Sequence, residues 1–170
     1  MDNHIYLCID LKTFYASCEC VMRNLDPFET NLVVADPSRG KGAICLAISP
    51  KLKAMGIRNR CRLFEIPDGI EYITAMPQMK KYMEFSSKIY SIYLRYIAKE
   101  DIYPYSIDEM FLDVTTYLSL YKTTPEKLAK ALMNKIRSEL GLPSACGIGT
   151  NLFLAKVALD ITAKHTKDNI

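Results

Sequence analysis

The segment Tyr105–Val114, YSIDEMFLDV, has the apolar composition of a β-strand except for two adjacent carboxylates, Asp108 and Glu109. Successive side chains of a strand point to opposite faces of the sheet, so one of the two carboxylates should point into the apolar layer. Burying an unpaired charge is costly. The chain must therefore either end a strand at this pair or bring a positive charge to it.

The order of the predicted elements indicates where this pair lies. Residues 5–10 predict a buried strand, and residues 77–98, free of glycine and proline after Pro77, predict a long helix. When residues 11–76 are set aside as an insertion, the remaining order is strand, helix, strand, strand, helix, strand and a last helix. This is the βαββαβ order of an α+β, ferredoxin-like fold, here carrying a small α/β insertion.

Three carboxylates are expected to converge at one edge of this sheet. A right-handed crossover makes the second strand parallel to the first, and the third strand lies between them. The hairpin that joins strands two and three then lies beside the end of strand one, which is Asp10. If the hairpin turns at Asp108 and Glu109, all three carboxylates meet there.

Such a group of oxygen ligands, without histidine or cysteine, favours Mg²⁺, which completes its shell with water and substrate phosphates. Two such ions can activate an attacking hydroxyl and stabilise a leaving pyrophosphate, which is the chemistry of nucleotidyl transfer. Carboxylates are also common at turns. A polar hairpin tip without a metal therefore remains open at this point.

Composition narrows the classes further. The net charge is only +3, but residues 51–62 hold five basic and no acidic side chains, which predicts either a positive patch or a solvated face. Six cysteines without a CxxC pair and two histidines near the ends predict reduced, buried thiols and no zinc site. Without a long apolar run or a leader-like start, the protein is expected in the cytoplasm.

Three motifs carry a family resemblance. The segments CIDLKTFYASCE, YSIDEMFLDV and CGIGTNLFLAKVALD resemble, in order, the palm signatures of the Y-family translesion DNA polymerases. The similarity is greatest to the UmuC-like branch, including Gram-positive members with a segment like RLFEIP. It implies a palm formed by residues 1–10 and 77–170 and fingers formed by residues 11–76. It also implies that the thumb and little-finger domains lie outside this chain.

The resemblance assigns the metal ligands. Asp10 and Asp108 match the aspartates that hold two Mg²⁺ ions, for which Mn²⁺ can substitute. Glu109 matches the carboxylate that completes the shell of the catalytic ion. The backbone carbonyl of Leu11 matches the ligand of the nucleotide-bound ion.

The resemblance also assigns nucleotide contacts. Tyr15 matches the steric gate that would clash with a ribose 2′-hydroxyl, although by itself it would be interpreted as a core aromatic of the first helix. Backbone N–H groups of Phe14 and Tyr15, at a helix start, can meet a triphosphate. Lys156 matches the palm lysine that reaches the triphosphate, although alone it would be interpreted as solvent-facing.

The fingers depart from the family pattern. Many relatives place a tyrosine and, three residues later, an arginine against the phosphates, whereas the nearest alignment here gives Pro50 and Lys53. A lysine offers a point charge without the bidentate fork of arginine. Lys53 is therefore the predicted phosphate ligand, with Lys51 as the alternative after a one-residue shift.

The resemblance implies error-prone DNA synthesis across damaged DNA, in DNA repair and the SOS response. The implied partners are primer-template DNA, a deoxynucleoside triphosphate and a sliding clamp bound through the missing C-terminal region, in the nucleoid-associated cytoplasm and not at a membrane. The 170-residue piece is expected to bind DNA weakly and to polymerise poorly alone. Two alternatives remain, a palm-fold nucleotide cyclase and a non-catalytic docking module of the same fold.

Overall fold

A computed structural model describes residues 3–170 as two compact units. One unit comprises the chain as far as Leu11 together with Ser86–Ile170, and the other comprises Lys12–Phe85. The units divide between Phe85 and Ser86, inside a long helix, whereas the sequence predicts a domain boundary at residue 77. Proline and glycine positions indicate where a helix begins, but they do not indicate where along it the packing partner changes.

Strands and helices alternate along the described chain much as their sequence patterns predict. The polar segments between them include several short 3₁₀ turns. The elements are β1 (Tyr6–Leu11), α1 (Phe14–Met22), β2 (Leu32–Val34), β3 (Ala47–Ile48), α2 (Pro50–Ala54), β4 (Ile73–Ala75), α3 (Met79–Leu94), β5 (Ile102–Pro104), β6 (Glu109–Asp113), α4 (Thr115–Leu120), α5 (Pro125–Leu140), β7 (Ser144–Gly149) and α6 (Leu152–Val157).

The first unit is built on a four-stranded sheet in the order β5-β6-β1-β7. Each pair of neighbouring strands is antiparallel, and β1 lies in the centre with β6 on one side and β7 on the other. This is the strand order of the ferredoxin-like fold, so the predicted α+β class is confirmed. The centre of β1 is buried, as expected for a strand covered on both faces.

Helix α5 has the end signals that its sequence predicts. The hydroxyl of Thr124 accepts a hydrogen bond from the backbone N–H of Lys127 at 3.3 Å, and Pro125 occupies the first helical position. Gly141 ends the helix with a φ of 73°, a left-handed conformation that favours glycine.

Two glycines allow the last helix to approach the sheet closely. A Cβ atom at Gly147 would lie 2.1 Å from the carbonyl oxygen of Ala155, and one at Gly149 would lie 2.3 Å from the nitrogen of the same residue. No other amino acid fits at such distances without moving the backbone. Helix α6 is therefore held against β7, and it continues through a π-helical turn at Ala158–Thr162.

The second unit has a three-stranded sheet in the order β3-β2-β4. Strand β2 pairs antiparallel with β3 and parallel with β4. Its core includes Cys45 and Cys61, and all six cysteines of the chain are buried. The prediction that the thiols are buried is confirmed.

The lengths of the helices can be compared with the length of a membrane-spanning helix. The helices α3 and α5 have 16 residues each, whereas a span of the bilayer core takes about 20 apolar residues. Within residues 3–170, no helix is both long enough and apolar enough to cross a membrane.

Candidate active site

Asp10 and Glu109 lie directly opposite each other on the neighbouring strands β1 and β6. The backbone N–H of Leu11 donates to the carbonyl oxygen of Asp108 at 3.0 Å, which ties the end of β1 to the start of β6. The structure therefore brings the three predicted carboxylates to one edge of the sheet.

The turn between β5 and β6 explains how the chain accommodates two adjacent carboxylates. The backbone N–H groups of Tyr105 and Ser106 both donate to the carbonyl oxygen of Glu109 at 3.0 Å. Asp108 lies in this turn, half-buried, and accepts a hydrogen bond from the hydroxyl of Ser106 at 2.8 Å. Glu109 begins the strand and is only 6% exposed. Asp108 lies in the turn before the strand, so it need not follow the alternation of strand side chains. Only Glu109 belongs to the strand and points into the buried layer.

Lys156 on α6 supplies the positive charge that a buried Glu109 requires. Its Nζ lies 2.5 Å from Oε1 of Glu109 and 3.4 Å from Oδ2 of Asp160. The thiol of Cys8 donates to the same Glu109 oxygen at 3.3 Å. Burial alone would lower the pKa of Lys156, but these two carboxylates outweigh burial and raise it. Lys156 is therefore a charged partner of the site and not simply a solvent-facing side chain.

Lys164 has the same relation to Asp10. Its Nζ lies 2.7 Å from Asp10 Oδ2 and 3.0 Å from Asp160 Oδ1. Burial raises the pKa of Asp10 to about 6, because it destabilises the charged carboxylate more than Lys164 stabilises it. Burial alone would lower the pKa of Lys164. The carboxylates of Asp10 and Asp160 together stabilise its ammonium group more than burial destabilises it, so the pKa is raised.

Neither Lys164 nor Asp160 was predicted as a site residue. A signal was present, because Lys156, Asp160 and Lys164 are spaced four residues apart and can face one side of a continuous helix. Asp160 contacts both lysines. It therefore fixes the two ammonium groups beside the two strand carboxylates.

The site fits divalent cations by its donor chemistry. Asp10, Asp108 and Glu109 offer only oxygen ligands, as Mg²⁺ and Mn²⁺ prefer. Among residues 3–170, no three His, Cys, Asp or Glu side chains are already arranged around a common metal position. The mutual repulsion of Asp10 and Glu109 is instead offset by the two lysines.

The remaining predicted contacts lie in the unit Lys12–Phe85. Phe14 and Tyr15 begin α1, with Phe14 buried and Tyr15 half-buried. Thr13 precedes them at the N-cap position with φ 44° and ψ 50°, a strained conformation for a β-branched residue. Its hydroxyl contacts Ser17 at 3.1 Å and makes no capping bond to the N–H groups of the first turn.

Lys53 and Lys51 differ in their surroundings. Lys53 is exposed on α2, whereas Lys51 is half-buried and its Nζ donates to the backbone carbonyl of Glu29 at 2.9 Å. Of the two lysines that the sequence left open, Lys53 has the more accessible side chain. Asp113, which was not predicted as a ligand, accepts hydrogen bonds from Thr115 and His4.

Comparison with known proteins gives this geometry a family context. The family model described as "impB/mucB/samB family" matches residues 9–160. The putative UV-damage repair protein UvrX of Bacillus subtilis is 39% identical over 165 residues, which is 96% of this chain and 38% of the relative. DNA polymerase IV 2 of the same organism is 34% identical over 174 residues, covering all of this chain and 40% of the relative.

A solved structure described as an insertion ternary complex of Dbh DNA polymerase has the same fold. The TM-score is 0.78 at 22% sequence identity, and the match covers 97% of this chain and 47% of the other. The chain spans about two-fifths of the length of both Bacillus subtilis relatives.

Proposed function

Since the chain belongs to the impB/mucB/samB family, we propose that it forms the catalytic palm and the fingers of an error-prone, template-directed DNA polymerase. The observation that carries the proposal is the convergence of Asp10, Asp108 and Glu109 at one sheet edge. In this reaction the primer 3′-hydroxyl attacks the α-phosphate of a deoxynucleoside triphosphate, and pyrophosphate leaves. The unit with β1 and Ser86–Ile170 acts as the palm, and Lys12–Phe85 acts as the fingers.

The three carboxylates would hold two divalent cations, Mg²⁺ or Mn²⁺, together with the backbone carbonyl of Leu11. When bound, such cations increase the acidity of a hydroxyl and stabilise negative charge on phosphate oxygens. Asp10 and Glu109, which now pair with Lys164 and Lys156, would instead hold the cations. Lys156 would then be available to the triphosphate, with Asp160 as its remaining carboxylate partner.

The fingers residues would bind and select the nucleotide. The N–H groups of Phe14 and Tyr15 lie at a helix start, where backbone dipoles favour a phosphate. Thr13 leaves those groups uncapped by its side chain. Tyr15 acts as the steric gate against a ribose 2′-hydroxyl, and Lys53 contributes a positive charge to the triphosphate.

The natural partners are primer-template DNA and a deoxynucleoside triphosphate, in synthesis across damaged bases during DNA repair and the SOS response. Contact with a sliding clamp is assigned to the part of the longer relatives that this chain does not match. With a net charge of +3, the chain alone is expected to hold primer-template weakly and to extend it poorly.

The test is Mg²⁺-dependent binding of dATP to this chain, measured by isothermal titration calorimetry. Wild type is expected to bind only with the metal, and both Asp10→Asn and Asp108→Asn should weaken binding at least about tenfold, which corresponds to 1.4 kcal/mol. Asp113→Asn is the matched control, because Asp113 is a carboxylate at the far end of β6. Metal-independent binding, or equal loss in the control, contradicts the proposal.

A second assay separates the cyclase alternative. ATP and GTP are incubated with the chain and Mg²⁺ without a template, and the products are separated by chromatography. A polymerase leaves both nucleotides unchanged, whereas a cyclic nucleotide product would favour the palm-fold cyclase. A failure to bind any triphosphate would favour the docking module.

A further inference from the structure

Glu19 on α1 is a completely buried carboxylate in the unit Lys12–Phe85, with 0% exposure. Its oxygens accept hydrogen bonds from the guanidinium of Arg23, from Gln78 Nε2 at 3.1 and 3.2 Å, and from the hydroxyl of Tyr82 at 2.6 Å. A buried charge is tolerated only with such partners. The carboxylate thus joins the start of α3 to the first helix.

The main side chain that Glu19 holds in place is that of Tyr82. This tyrosine is also 0% exposed, and burial together with its hydrogen bond to Glu19 raises its pKa. The hydroxyl keeps its proton at neutral pH and donates it to Glu19. A ring held at its hydroxyl as well as at its Cβ has its long axis fixed in position and direction.

The fixed ring of Tyr82 stacks on Tyr15. The ring centroids lie 4.5 Å apart with an interplanar angle of 17°. Tyr15 is half-buried, so Tyr82 supports one face of a side chain that still reaches the surface. The order of contacts runs from a buried charge, through a buried ring, to a partly exposed ring.

Apolar packing alone would not require this arrangement. A leucine at position 82 could fill the core without a polar atom, and buried ion pairs often contribute no more stability than apolar replacements of similar size. What an apolar side chain lacks is a hydroxyl that fixes the direction of the supporting ring's long axis. The hydrogen bond therefore adds orientation to the packing.

We propose that Glu19 and Tyr82 are positioning residues that hold the ring of Tyr15 in one orientation and thereby set the preference for 2′-deoxyribose over ribose. This inference rests on the proposed role of Tyr15 as the steric gate. A gate excludes a single hydroxyl only if its ring cannot retreat. Neither Glu19 nor Tyr82 touches the nucleotide in this scheme, so neither is a catalytic residue.

The first measurement concerns the ring of Tyr15 without any nucleotide. Tyrosine rings labelled with ¹³C are observed by NMR in wild type, Tyr82→Phe and Tyr82→Leu. Loss of the stacked ring in Tyr82→Leu should remove the ring-current shift of Tyr15, and Tyr82→Phe should broaden its signals. Tyr15 signals that stay unchanged in Tyr82→Leu overturn the inference.

The second measurement is the ratio of affinities for dATP and ATP in the presence of Mg²⁺. Tyr82→Phe removes one oxygen atom and should reduce a wild-type preference for dATP about threefold, with dATP affinity retained; Tyr82→Leu should reduce it about tenfold. Glu19→Gln should follow Tyr82→Phe. A merely structural role would weaken both nucleotides equally and leave the ratio unchanged, which overturns the inference.

Tyr117→Phe is the matched control, because that hydroxyl also donates to a carboxylate, Asp101, at 2.7 Å. Its dATP-to-ATP ratio should equal that of wild type, and an equal fall in the control would overturn the inference. Tyr15→Ala identifies the gate itself. If Tyr15→Ala keeps the wild-type ratio, the gate role fails and the inference falls with it. If Tyr15→Ala loses the ratio and the Tyr82 variants keep it, only the inference fails.

Discussion

Glu109 and Glu19 are two nearly inaccessible carboxylates, 6% and 0% exposed, with different partners. Glu109 is held by Lys156 on a helix that follows a glycine-rich strand, and that lysine has a second carboxylate within reach. Glu19 is held by the side chains of Arg23, Gln78 and Tyr82. Among the hydrogen bonds described above, these side chains bond to no other carboxylate. The first arrangement permits exchange of the cation, whereas the second fixes its neighbours.

The largest difference should appear when each glutamate is removed. Glu19→Ala leaves the donors of Arg23, Gln78 and Tyr82 without their acceptor, and it should cost about 3–5 kcal/mol of the free energy of unfolding. Glu109→Ala should cost about 1–2 kcal/mol, because Lys156 keeps Asp160 and Asp10 loses a repelling neighbour. Urea unfolding measures both, and equal losses would remove the distinction.

Gly147→Ala tests whether the close approach of α6 to β7 supports the site around Glu109 and Lys156. The added Cβ meets backbone atoms, so unfolding should become easier by about 1–3 kcal/mol as the helix moves outward. Gly42→Ala is the control, since a Cβ there meets nothing within 4 Å. Thermal unfolding followed by circular dichroism measures both variants, and an equally stable Gly147→Ala would contradict the close packing.

Addition of Mg²⁺ should distinguish the two carboxylate environments directly. Ligand present at a hundredfold excess over its dissociation constant stabilises a protein by about 2.7 kcal/mol. The stabilisation should disappear with EDTA and in Asp10→Asn, and it should persist in Glu19→Gln if that variant folds. Denaturant unfolding with and without metal measures it. A metal effect that survives in Asp10→Asn would place the cation elsewhere.

The smallest effect concerns Asp113, a carboxylate outside both groups. Burial alone would raise its pKa, but hydrogen bonds from Thr115 and His4 outweigh burial and lower it. A lowered folded pKa means that this stability is present above the unfolded value of about 3.9 and is lost as the pH falls through the folded pKa. Asp113→Asn should therefore cost about 1 kcal/mol at pH 7, and the difference from wild type should shrink in acid. A constant difference across this range would contradict the shift.

Local signals in the sequence predicted much of the fold. Thr124, Pro125 and Gly141 mark both ends of α5 in sequence and in structure. The convergence of Asp10 with Asp108 and Glu109 followed from the strand order together with a turn at the acidic pair, because handedness and antiparallel pairing leave few topologies. These predictions depend on periodicity and end signals, which are properties of short segments.

The features that sequence analysis missed depend on distant packing. Glu19 lies between Cys18 and Cys20 in a segment where an acid looks like an exposed helical residue, and its partners Gln78 and Tyr82 are far along the chain. Lys164 carried a spacing signal, but a spacing does not identify the carboxylate that a lysine will meet. Pairing between distant charges is determined by the packed structure and leaves no local pattern.

The π-helical turn at Ala158–Thr162 affects the direction in which the side chains after it leave the last helix. Each residue of a regular helix turns the chain by about 100° and advances it about 1.5 Å. A wider turn between Lys156 and Lys164 changes the angle at which the second lysine leaves the axis, while the first remains beside Glu109. The wider turn, together with the spacing of the residues, thus sets the direction from which Lys164 meets Asp10.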